Sequence, residues 1–288
     1  MAMNVKHSIT FKVSALPPLL AVALCLVMIA VPPAAQAQSN DEAEQGGAAV
    51  PKTAFFYVDP QVINTEDHAE LRIAMPQNAE FASNAQAVPV LLSEFADVAL
   101  EYPIVFVQTP DSTWMALALT GLQQNQNVFV DENGSWNANY IPASVRRYPF
   151  VLASGDDGTL SVAVDMSRAS EAQTAIRLFD DEGNPSETLQ NSIGFLQSFQ
   201  GQSAQTSTLI ARLAELELLT DAEFQIGSQE GNGRRLNGFS IVEEARLNAL
   251  RDDTIVDLVR RSQMSAIYLH LLSLKNIAAL QRMEGTAQ

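Results

Sequence analysis

One short stretch holds the side chains best suited to grip a ligand: Trp136, Tyr140, Arg146, Arg147 and Tyr148. Aromatic surface beside two guanidinium groups suits a carboxylate or a phosphate, because each arginine fork can donate two parallel N–H bonds. The same residues have an ordinary structural use. Large aromatics usually fill cores, and the arginines can pair with the hairpin acids Asp131 or Asp180. Groups for acid–base or nucleophilic chemistry are scarcer. Beyond the amino terminus the histidines are His68 and His270. His270 shares a helical face with Ile267, Leu271, Leu274 and Ile277, the setting of a hydrogen-bonded core histidine, and His68 follows Glu66 and Asp67 in a loop. No G-x-S-x-G elbow accompanies either. The clusters Asp131-Glu132, Asp156-Asp157 and Asp180-Asp181-Glu182 lack the alternating ligand spacing of a calcium loop and read as solvated turns. No catalytic set, metal site or cofactor is expected.

The amino terminus must be set aside before the fold is read. Lys6, His7 and Lys12 precede an apolar run from Leu19 to Val31, and Pro32-Pro33 leads into Ala35-Gln36-Ala37. That is the pattern of a secretory signal peptide over residues 1–37, with cleavage before Gln38. The run falls short of the roughly 20 residues a membrane-spanning helix needs, so no stable span is expected after cleavage. Cleavage removes Lys6, Lys12 and the single cysteine, Cys25, but no acid. It leaves 15 basic against 33 acidic residues, a net charge near −18. So acidic a chain disfavours nucleic acid and anionic lipid headgroups, which need clustered Lys and Arg. Without cysteine, stability must come from packing, not from disulfides.

Residues 38–52 are small, polar and acidic, a flexible linker. The remaining 53–288 read as one domain of α+β class, with a β-rich core over 53–183 and a mostly helical part over 184–284. The core repeats one strand-turn-strand pattern. Tyr102-Pro103 opens the first copy, which ends at Asp131-Glu132-Asn133-Gly134; Tyr148-Pro149 opens the second, ending at Asp180-Asp181-Glu182-Gly183. Units that cannot cover their own apolar face pack against a neighbour, so the two copies are expected to pair. Earlier, Phe55–Val58 and Leu71–Ala74 read as strands, and Ser93 as the N-cap of a helix that Pro103 stops. After Gly183 the apolar period changes to helical. Asn184 and Pro185 start a helix carrying Leu189, Ile193 and Leu196, and a second carries Leu209, Ile210, Leu213, Leu216 and Leu219. Gly231-Asn232-Gly233 marks a loop, Phe239–Val242 a short strand, and three helical pieces follow over 243–283.

The chain resembles the SapC family of bacterial proteins. The resemblance rests on His68, Glu94-Phe95, Tyr102 through Phe106, Gly121-Leu122, Asn127 through Asp131, Gly134, Trp136, Tyr140-Ile141-Pro142 and Arg146 through Phe150. It continues through Leu178-Phe179-Asp180, Glu182-Gly183, Gly238-Phe239, Leu247, Leu250 and Tyr268 through Leu274. Ser135 stands where the family commonly has a basic residue, and the secretory signal also departs from its pattern. The resemblance implies association with surface layers and no family-wide catalytic site. Gene neighbours typical of the family, outer-membrane receptors and flavin-dependent halogenases, imply nutrient uptake at the envelope. The expectation is therefore an exported, non-enzymatic protein of the periplasm or cell surface, binding an envelope protein or a small ligand. The alternative is a hydrolase or transferase that uses His68 or His270 with a carboxylate. If Trp136 plugs a seam between the two copies, Trp136→Ala should cost about 3–5 kcal/mol in thermal or urea unfolding. An unchanged midpoint would make it a ligand platform instead.

Overall fold

Two apolar runs after each Tyr-Pro, separated by turn residues, give two hairpins, and each hairpin belongs to its own sheet. The computed structural model of the protein describes residues 10–11, 56–110, 112–155, 158–226 and 234–286. The expected signal peptide over 1–37 (Thr10 and Phe11 apart), the expected linker over 38–52, Asp156-Asp157 and the expected Gly231-Asn232-Gly233 loop lie outside them. The strands β1 (Thr10–Phe11), β2 (Pro60–Val62), β3 (Arg72–Ile73) and β4 (Ala87–Pro89) precede a short helix, α1 (Phe95–Val98). The first hairpin is β5 (Ile104–Gln108) and β6 (Trp114–Leu119); after α2 (Ala143–Arg146) come the second, β7 (Phe150–Ser154) and β8 (Leu160–Asp165), and then β9 (Ile176–Arg177). A long helix, α3 (Glu187–Glu215), leads to β10 (Leu219–Ile226) and β11 (Arg234–Val242). The helices α4 (Glu244–Asn248), α5 (Asp252–Arg260), α6 (Gln263–Ser273) and α7 (Asn276–Thr286) follow.

The larger sheet runs β10-β11-β5-β6-β4, antiparallel throughout. In the second, β8 is central, with β7 on one edge and β1 and β2 sharing the other. β3 and β9 form a separate antiparallel pair. Every residue of β8 is buried, as are Ile104 through Val107 of β5. Strands covered on both faces lose the apolar–polar alternation, which is why β5 reads as an apolar run and β8 as one broken only by Ser161 before it ends at Asp165.

The two hairpins make matching hydrogen bonds. Thr109 N–H donates to the Thr113 carbonyl and Gly155 N–H to the Thr159 carbonyl, both at 2.8 Å. Downstream, the pairs Val130–Trp136 and Phe179–Pro185 bracket two further turns. In each, an aspartate Oδ1 accepts the N–H groups two and four residues on: Asn133 and Ser135 for Asp131, Glu182 and Asn184 for Asp180. Gly134 and Gly183 close these turns at φ of +77° and +81°, where a side chain is strained. At Gly134 a Cβ would also come within 2.4 Å of the Asn78 amide.

α3 joins the two sheets. Its Leu189 and Leu196 enter the core of the β7–β8 sheet, while Leu209, Ile210 and Leu213 enter the core of the larger one. The expected two helices are thus one, continuous through Gly194 and Gly201, whose α-carbons face open space. Ser186, not Asn184, caps it, because Asp180 already takes both the backbone N–H and the side-chain amide of Asn184. Leu219 belongs to β10, and the carboxyl-terminal part is helical apart from the β10–β11 hairpin. Three further expectations shift. Residues 56–58 are turn and bend rather than strand. The strand expected over Leu71–Ala74 narrows to Arg72–Ile73, and Ser93 bonds Gln202 on α3 instead of capping α1.

β11 meets β5 at one residue pair, Ser240 and Phe106. α6 reinforces that joint. Val242 N–H donates to His270 Nε2 at 3.0 Å, Ile104 N–H donates to Ser273 Oγ at 2.9 Å, and the His270 ring packs 4.5 Å from that of Phe106. Nδ1 of His270 has no well-aligned partner. Burial pushes the imidazole pKa from 6.5 down to about 4, and the Ile104 carbonyl, which favours the cation, offsets only part of this. A depressed histidine pKa means that folding favours the neutral ring. The stability this gives is complete above the unfolded pKa of 6.5 and is lost as pH falls towards 4. Urea unfolding of the wild type should lose about 3 kcal/mol across that window from this group. The loss should disappear in His270→Gln; equal slopes in the two proteins would remove His270 as its source.

Candidate functional site

Glu94 is the hub of the central segment. Its carboxylate is buried, with Oε2 accepting Leu91 N–H at 2.9 Å and Oε1 accepting Ala143 N–H and Tyr140 Oη–H, both at 2.7 Å. Arg146 lies 3.9 Å from Oε1, donates from Nε to the Ile141 carbonyl, and stacks between the rings of Tyr140 and Phe195. Burial, and then the bond to Glu94, push the Tyr140 phenol up to about 12. Each group here has a structural partner, although the Arg146 side chain also keeps a solvent-exposed part.

Asp165, at the end of β8, is a second hub. It accepts N–H groups from Val58, Asp59 and Ser167 and the hydroxyl of Tyr148 at 3.1 Å. Desolvation raises its carboxyl, but these donors outweigh it and hold the pKa below the ordinary value of 3.8. Tyr148 stacks 4.0 Å from Phe81 and meets the edge of Tyr57, whose own phenol burial lifts to about 12. Trp136 belongs to neither hub. It is half-buried, stacks on Phe129, and donates from Nε1 to Tyr102 Oη at 2.8 Å; Tyr102 in turn donates to the Tyr140 carbonyl at 2.6 Å. The five residues therefore share no single platform. The acids foreseen for the arginines, Asp131 and Asp180, are occupied by their own turns, and Arg146 turns to Glu94 instead.

Arg147 is the exception. It lines a cleft of about 80 Å³ between α3 and the two sheets, with walls from Leu91, Met115, Leu152, Leu160, Leu196, Phe199, Gln200, Ser203, Thr206 and Ser207. Its guanidinium lies 4.5 Å over the Phe199 ring, and its Nε is buried without a hydrogen-bond partner. A more open groove of about 540 Å³ lies where β5 and β11 part, lined by Trp114, Phe239, Asp221, Glu223, Asn237 and Gln108. Asp221 there accepts from Ser240, and Glu223 pairs with Arg235.

The family model for SapC matches residues 63–280. The chain belongs to the SapC family. Comparison with curated proteins and with solved structures gives no match.

Both histidines lie within the matched segment. His68 Nδ1 accepts the N–H of Asn64 at 3.3 Å in a turn that Asn64 itself caps, and His270 is the buried clip already described. Among the described residues no group of three His, Cys, Asp or Glu side chains is arranged to hold a metal, and no helix is long and apolar enough to cross a membrane. Sequence reasoning used Glu94 only as a mark of SapC resemblance and missed its role as hub. The available signal was an acid three residues after Leu91, at the start of a helical run, where a carboxylate reaches back to a free N–H. Half-burial of Trp136 puts the expected cost of Trp136→Ala at the low end, about 3 kcal/mol. Glu94→Ala strands two backbone N–H groups and should cost about 3–5 kcal/mol in urea unfolding, with Glu94→Gln recovering part through its one remaining oxygen. If Glu94→Ala melts like the wild type, the hub is not structural.

Proposed function

We propose that this SapC chain is an exported, non-enzymatic protein of the periplasm or cell surface that binds a partner or small ligand in a surface-layer or uptake setting. The observation that carries the binding part is Arg147. It is the member of the central aromatic–arginine segment whose polar group is left over after the structural bonds are made. Export is supported by the charged amino-terminal region, the apolar run and the Ala35-Gln36-Ala37 site. The non-enzymatic reading is supported by the use of His68 and His270 in backbone hydrogen bonds, with neither seen to bond a carboxylate among the described residues. We further infer that the two hairpins are copies of one unit, a reading their matching turns favour.

Fractionation of the host, with intact-mass measurement, tests the proposal. The protein should be found in the envelope with its chain beginning at Gln38, and capture on it from envelope extract should retain a specific protein or small molecule. A purely cytoplasmic protein that still carries residues 1–37 would defeat the export reading.

A further inference from the structure

Arg147 is an anomaly in a chain with a net charge of −16. Acids are plentiful, and Arg146 and Arg177 pair with Glu94 and with Glu70 and Asp181. Among the described residues Arg147 makes no such pair. Its Nε is buried without a partner, its charge lies over the Phe199 ring, and the guanidinium's hydrogen bond is to the Tyr57 hydroxyl. Holding a guanidinium partly out of water without a counter-ion is unfavourable, so an anion entering beside it would be welcomed by charge and by unused donor capacity. α3 supplies the opposite wall. Its buried stripe is apolar at Leu189, Leu196 and Phe199 and again from Leu209. In between, at the cleft, it carries Ser203, Thr206 and Ser207. Thr206 and Ser207 spend their hydroxyls on Gln202 and Trp114 carbonyls, whereas Gln200 and Ser203 remain available.

We propose that this cleft binds a small organic carboxylate, with its charged end at Arg147 and its short apolar end against Leu152 and Leu160. The inference rests on the binding reading above and names the ligand class for it. One positive charge, with no second cation in the lining, matches one negative charge better than a dianionic phosphate. A volume of about 80 Å³ is of the size that takes a ligand of a few heavy atoms.

Thermal unfolding of the full chain tests this with butyrate and valerate as probes, butyramide as the neutral isostere and inorganic phosphate at matched ionic strength. Both carboxylates should raise the melting temperature saturably, as a ligand of the native state does, while butyramide and phosphate should not. Arg147→Met keeps an apolar stem on Phe199 and removes the charge. Its ligand-free melting temperature should match or exceed the wild type, and its carboxylate affinity should fall by about tenfold or more. Ser203→Leu fills the cleft from the helix side and should abolish the response with Arg147 intact. The proposal is overturned by a rise that all the salts share, by phosphate binding as well as butyrate, by a sharp loss of stability in Arg147→Met, or by a full response in Ser203→Leu. Saturable carboxylate binding by a protein confined to the cytoplasm would sink the export reading alone. An envelope protein with no saturable response would sink this inference alone.

Discussion

The segment from Ser135 to Pro149 has little regular structure, so its backbone N–H groups need acceptors from elsewhere. Carboxylates provide several of them. Glu94 takes Ala143, Glu101 takes Asn139, and Asp131 takes Ser135, each acid preceding the segment in the chain. A buried N–H without a partner would cost roughly as much as a lost hydrogen bond, and ionised acceptors give the stronger bonds. The position of α2, and with it Arg146 and Arg147, follows from Glu94 holding Ala143, the first residue of that helix. Asp165 does for the stretch before β2 what Glu94 does for α2. Part of the chain's acidity is thus an internal scaffold and not a surface coat.

The strand-turn-strand elements were legible because their signals are local. Apolar runs, Tyr-Pro openings and Asp-x-x-Gly endings depend on neighbours in sequence, and β5 through β8 fall where those signals put them. The association of elements was not legible. That β11 would join β5, or that α3 would serve both sheets, depends on contacts far apart in the chain. Leu219 shows the limit well. It continues the leucine period of α3, yet Glu217 at φ +56° ends the helix and Leu219 begins β10.

The site divides in the same way. Residue types in the central segment pointed to Arg147, but nothing local separated it from Arg146, which has Glu94, the Ile141 carbonyl and the Tyr140 ring within reach. The break in the leucine period between Leu196 and Leu209 suggested two helices. In the structure the helix continues, and the break is its polar cleft wall. A missing apolar period can therefore mark a cavity as well as a loop.

The joint between β11 and β5 bears on how the molecule opens. One residue pair and one histidine-centred clip tie the β10–β11 hairpin to the rest of the larger sheet, whereas β10 and β11 pair with each other over nearly their full length. Local unfolding follows the sparsest connections. The hairpin is then the block expected to loosen first, while β5, β6 and β4 stay paired and α6 remains bonded to β5 through Ser273. Amide protons of β11 facing β5 should therefore exchange with solvent well before those shared by β5 and β6, so the larger sheet comprises two cooperative blocks and not one.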